Sequence, residues 1–211
     1  MDEAARAALE EDAKARCASG DFDGAATRAI KGYGPEIFGF LLALHRDDQD
    51  AGDVFAIFSE NLWKGLRGFS WTCTLRAWAY TIARHASYRF SKNARRDAKR
   101  HSPLEGASEA GALAARVRTE TLTYLKTEQK DRFAELRASL PEEDQTLLIL
   151  RVDRKLPWED LARIMLSEEA GPLDDAQLKK ESARLRKRFQ LVKEKLLEMG
   201  REAGLVKKND D

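Results

Sequence analysis

Apolar positions recur every three to four residues along most of the chain, the period of helices that bury one face. Alternating runs rich in Val, Ile and Thr are missing, as are Asn-Gly hairpin turns, so strands are not expected. The pattern predicts a first helix over 4–18, stopped by Ser19 and Gly20. A second is expected over 21–31, broken at GYGP (32–35). A third starts at Pro35, whose fixed φ suits a first helical turn, and runs to Leu44. HRDDQD (45–50) reads as a polar turn, followed by helices over 49–66 and 75–96.

The pattern then changes. Residues 96–112, RDAKRHSPLEGASEAGA, carry Pro, Gly and Ser without an apolar stripe and read as a linker. Residues 113–139 look helical but polar. Pro141 opens another helix with acids in its first turn, where the helix dipole favours them. A further helix restarts at Pro157, a loop covers 167–175, and a long basic helix runs over 175–198. The expected fold class is all-α: two helical domains, about 1–97 and 130–205, joined by a flexible linker, the C-terminal one a helix-turn-helix.

Composition narrows the function classes. The chain has 211 residues, 43% hydrophobic and 35% charged, which suits a folded helical protein rather than a disordered one. No apolar run approaches the roughly 20 residues that span a bilayer, and the acidic, Ala-rich start has no export pattern. The expectation is a cytoplasmic protein without membrane insertion. Cys17 and Cys73 form no CxxC pair, and His45, His85 and His101 form no HExxH. With no phosphate-cradling Gly-rich loop either, no catalytic residue, metal or cofactor is expected.

Charge changes the picture most. The net charge is only +1, yet residues 61–100 hold ten Lys/Arg against the single acid Asp97. Residues 178–195 hold eight against Glu181 and Glu194. Two basic segments in an acidic background suggest two footprints on a polyanion. In the first, 71–96, aromatics lie among the cations: Arg76, Tyr80, Arg84 and Tyr88 form an i, i+4 ladder, continued by Arg89, Lys92 and Arg96. Cations neutralise phosphates while aromatic faces stack on unpaired bases. The aromatic loop GFSWTCT (68–74) directly precedes this helix and is suited either to plug the hydrophobic core or to hold a base drawn out of its stack. In the second segment, Leu178, Leu185, Phe189, Val192 and Leu196 form a core stripe. Gln177, Lys180, Arg184, Lys187 and Arg188 face elsewhere, as on a major-groove recognition helix. The alternative for this helix is a bundle helix with a basic outer face.

DDQDAGDVFAIFSENLWKGLRGFSWTCTLRAWAYTIARHAS (47–87) resembles the second conserved region of bacterial sigma factors of the extracytoplasmic-function group. LPEE (140–143), LR (150–151), LPWEDLA (156–162) and KKESARLRKR (179–188) resemble their fourth region. The order and the intervening linker also match. The resemblance implies a region 2 domain over 21–97, a linker over 98–129 and a region 4 domain over 130–205; residues 1–20 are left as an N-terminal extension with no obvious family counterpart, and 206–211 as a tail. Members bind core RNA polymerase, direct it to promoter DNA and help melt it; they are commonly held by an anti-sigma factor.

By this resemblance Phe69, Ser70, Trp71 and Thr72 lie in the loop that captures the non-template strand. Arg76, Tyr80, Arg84, His85, Tyr88, Arg89 and Lys92 follow on the helix. Gln177, Lys179, Lys180, Arg184, Lys187 and Arg188 fall on the helix that reads the upstream duplex. On the 49–66 helix, Ile57 stands outside the apolar face, among Asp53, Glu60 and Asn61. The resemblance places the polymerase contact on these four residues. Arg89 and Ala56 depart from the Asp and Gln that the family often has there. The competing readings are an autonomous helix-turn-helix regulator, which would grip intact duplex without polymerase, and a helical adaptor, which would bind no DNA.

Overall fold

The computed structural model describes residues 1–96, 108–125, 132–166 and 174–205, all helix, turn or loop with no strand among them. The chain divides into two compact units, Met1–Leu125 and Lys126–Asp211. Much of the expected linker, the 167–173 loop and the 206–211 tail fall outside the described residues.

The first unit contains α1 (Glu3–Ala18), α2 (Phe22–His45), α3 (Asp48–Gly65), a 3-10 turn (Leu66–Gly68), α4 (Leu75–Arg96) and α5 (Glu109–Leu125). Each of the first three starts at an aspartate whose side chain accepts a first-turn N–H: Asp2 from Ala5, Asp21 from Gly24, Asp47 from Gln49 and Asp50. Such caps satisfy N–H groups that the helix itself cannot. The core is aromatic. Phe38, Phe40, Phe55, Phe58 and Tyr80 are fully buried, with Phe55 5.3 Å from Phe38 and 5.5 Å from Phe58 between ring centroids.

Three expectations change here. GYGP does not break the helix: α2 is continuous, with Pro35 inside it and exposed. Its glycines serve close packing instead. A Cβ on Gly32 would lie 1.9 Å from Leu9 Cδ1 of α1, and one on Gly34 2.9 Å from Val117 Cγ1 of α5. Second, the stretch read as a 1–20 extension is the α1 layer, with Leu9 and Ala13 buried. Third, part of the expected 98–129 linker is α5, packed against α2 and α3. Its Ala110, Ala114, Val117 and Thr121 form a buried stripe at helical spacing. The small side chains and one hydroxyl make that stripe inconspicuous in a sequence.

The second unit contains α6 (Arg132–Ala138), α7 (Glu142–Leu148), continued by a π-helical segment (Ile149–Asp153), α8 (Trp158–Leu166) and α9 (Asp175–Glu202). Leu140, Leu148 and Val192 form a core cluster with Phe189, Leu196 and Met199 packed against it. Trp158 opens α8 and meets α9 on several sides. Its ring lies edge-on to Phe189 at 5.6 Å and under the guanidinium groups of Arg151 (4.7 Å) and Arg186 (5.8 Å). Its carbonyl accepts from Ser182 Oγ at 3.2 Å. No described helix is long and apolar enough to cross a membrane.

Candidate nucleic-acid interface

The loop between the 3-10 turn and α4 presents its aromatics as a group. Phe69 stacks on Trp78 of α4, 4.5 Å away and 17° from parallel, and meets Trp71 at 4.8 Å. Trp78 lies close over α3, since a Cβ at Gly65 would stand 3.1 Å from its Cζ2. Ser70 and Thr72 hydroxyls lie 3.2 Å apart, both residues exposed. Trp71, half-buried, has a φ of 57°. A bulky residue in this left-handed region is strained, and such strain concentrates at functional sites. Thr74 ends the loop and caps α4, accepting from Ala77 N–H at 3.1 Å.

The ladder on α4 divides in two. Arg76 and Tyr80 belong to the interior rather than to the ligand-facing surface expected from the sequence. The Arg76 side chain is 8% exposed and pairs bidentately with Glu36 of α2, Nε to Oε1 at 2.8 Å and Nη2 to Oε2 at 2.9 Å. Burial alone would depress its pKa, but the hydrogen bond and charge of Glu36 outweigh this and hold it above its usual value. Tyr80 is fully buried, edge-on to Phe40 at 5.5 Å. Further along, Arg84 and His85 are half-buried, while Tyr88, Arg89 and Lys92 are exposed. Tyr88 keeps 45% of its surface in solvent, with Lys92 Nζ 5.8 Å from its ring centroid. Exposed aromatic and cationic groups at i and i+4 are thus brought together at the far end of α4.

On α3, Asp53, Ile57 and Glu60 are half-buried and Asn61 is exposed. They share one face by their spacing. Glu60 holds Lys64 at 3.1 Å and, with Trp63 and Lys64, lines a cavity of about 300 Å³ completed by Ser108, Glu109 and Ala110 at the start of α5. Arg118 of α5 crosses α3 at Gly52 and donates to the Asp48 carbonyl at 2.9 Å. The candidate docking face is therefore bordered by α5, which the sequence reading placed in the linker.

In the second unit, α9 begins with a reciprocal cap. Asp174 accepts from Gln177 N–H at 2.7 Å, and the Gln177 side chain accepts from Asp174 N–H at 3.0 Å. Gln177, Lys179, Lys180, Arg184 and Lys187 are all exposed, opposite the buried Leu178, Ser182 and Leu185. Arg184 also grips Glu181 on its own helix, a bond that raises its pKa. Arg188 is committed elsewhere. Its Nε meets Asp144 at 2.6 Å and its Nη1 meets Glu143 at 2.9 Å, tying α9 to α7. The bond to Asp144 raises its pKa. Of the duplex-reading candidates, Arg188 is the one spent on packing. Among the described residues no His, Cys, Asp and Glu cluster could hold a metal ion.

Several participants are invisible to periodicity. Trp78 reads as a core residue, yet it is the platform on which Phe69 stacks. Glu36 looks like a solvated acid, and its partner is 40 residues away. Comparison with known proteins bears on the first unit. No curated protein and no solved structure matches the chain. Residues 29–97 match the family described as Sigma-70 region 2, a span that takes in α3, the aromatic loop and α4, and this supports a sigma factor family for the chain.

Proposed function

We propose that this protein is a sigma factor of the extracytoplasmic-function group, acting by binding in the cytoplasm and catalysing no reaction of its own. It docks on core RNA polymerase through Asp53, Ile57, Glu60 and Asn61. Phe69, Ser70, Trp71 and Thr72 take hold of unpaired non-template bases, and Arg84, His85, Tyr88, Arg89 and Lys92 track the neighbouring strand. The second unit is a region 4 helix-turn-helix in which α9 reads the upstream duplex with Gln177, Lys179, Lys180, Arg184 and Lys187. The observation that carries the reading is the aromatic loop, held strained over Trp78 beside a helix with no acid between residues 71 and 96, inside the segment that matches Sigma-70 region 2. Aromatic faces able to stack on bases, beside the exposed cations of Arg89 and Lys92, favour an unpaired strand over an intact duplex.

The discriminating experiment measures promoter binding with and without core polymerase. The protein alone binds duplex weakly and without sequence preference, and specific complexes form only with polymerase. Tight specific binding by the chain alone would favour the autonomous regulator. In the same assay Lys187→Ala weakens binding to all duplexes alike and reduces the salt slope by about one, as for loss of one phosphate contact. An unchanged slope would remove Lys187 from the interface.

A further inference from the structure

Helix α1 lies outside the span that matches Sigma-70 region 2, yet it reaches the strand-capturing loop through one side chain. Leu9 and Ala13 seat the helix on α2, Leu9 filling the space above Gly32. Glu10, next to Leu9, extends its carboxylate to the first turn of α4. Its Oε2 accepts from Leu75 N–H at 2.7 Å and its Oε1 from Arg76 N–H at 3.0 Å. Oε1 also accepts from the Tyr33 hydroxyl of α2 at 2.7 Å. Burial first, then Glu10, push the Tyr33 phenol far above its usual pKa, so it remains a donor.

These N–H groups are among those a helix leaves unsatisfied at its N-terminus, where negative charge is also favoured by the dipole. Thr74 serves Ala77, and Glu10 serves the two residues between them. The junction at which loop 69–74 becomes helix is thus held by a carboxylate some 65 residues earlier in the sequence. Phe69 is fastened to the same helix through Trp78, leaving Trp71 on the short strained span between the two anchors.

We propose that Glu10 is a positioning residue for strand capture: α1 is a working part of the melting site, and its carboxylate sets where the aromatic loop meets α4. The inference rests on the sigma factor reading. The test compares wild type, Glu10→Gln and Glu10→Ala, as full chains with core polymerase, on a duplex promoter and on the same promoter already melted as a mismatched bubble. Strand opening is followed by permanganate reactivity of non-template thymines. Glu10→Ala slows opening of the duplex about tenfold, the scale of a lost helix cap, and Glu10→Gln, which keeps one acceptor oxygen, slows it about threefold. Both variants keep wild-type polymerase affinity, and their loss on the bubble is smaller than on the duplex, because no base pairs remain to be opened. Opening of the duplex at the wild-type rate by Glu10→Ala would overturn the inference. So would an equal loss on duplex, bubble and polymerase binding, which would make Glu10 a folding residue only. Failure of wild type itself to open any promoter would overturn the sigma factor reading, and this inference with it.

Discussion

Glu36→Ala lowers the unfolding free energy of the protein by about 3 kcal/mol, the low end of the range for truncating one partner of a buried ion pair. The pair is bidentate and the Arg76 side chain is 8% exposed, while Glu36 keeps 19%, which places the loss toward that lower bound. Without the carboxylate, a guanidinium held cationic in the interior loses its counter-charge. Arg76→Ala is destabilising for the converse reason, and Glu36→Leu combined with Arg76→Met recovers much of the loss, because well-packed apolar groups can replace a buried pair. Urea unfolding of the four proteins measures the effect. None of them changes the salt slope of DNA binding once folded, since Arg76 faces α2. If Glu36→Ala left stability intact while Arg76→Ala reduced the slope, Arg76 would belong to the DNA surface after all.

Trp71→Ala and Trp71→Gly slow promoter melting about 10- to 100-fold, the equivalent of about 1–3 kcal/mol of base–aromatic stacking. Polymerase affinity stays near wild type, because the proposed docking face is on α3. The glycine variant separates function from fold. It relieves a left-handed conformation that costs a bulky residue about 1 kcal/mol or more, and it loses a ring contact with Phe69 worth about 0.5–1.5 kcal/mol. Glycine adopts the left-handed backbone without strain where alanine does not, so Trp71→Gly unfolds closer to wild type than Trp71→Ala while melting promoters as poorly. Permanganate reactivity and urea unfolding on the same preparations give both quantities. Equal losses of melting and polymerase binding would contradict the loop's assignment.

The all-helical class was legible because helical periodicity and start signals agree along most of the chain. The predicted 75–96 helix coincides with α4, and 49–66 with α3 to within one residue. What was not legible depends on contacts between distant segments. The Arg76–Tyr80–Arg84–Tyr88 ladder is regular in sequence, but α4 is buried on the side facing α2 over its first turns and emerges at Tyr88. Periodicity locates a face without saying where along the helix that face leaves the core. The same holds for Glu10, which resembles any acid on an amphipathic helix until α4 is placed beside it. GYGP has the composition of a turn, yet Gly32 and Gly34 are small because α1 and α5 approach α2 there. Trp71 was legible as an aromatic in a loop; its left-handed backbone was not, because nothing in its residue type favours that conformation.

The central claim is that this protein makes core RNA polymerase start transcription at particular promoters. Run-off transcription with purified core polymerase on a library of promoter fragments, with and without the protein, tests it directly. Discrete transcripts that require the protein and share two upstream sequence elements are the expected result. No transcript from any fragment, together with tight duplex binding by the protein alone, would contradict it.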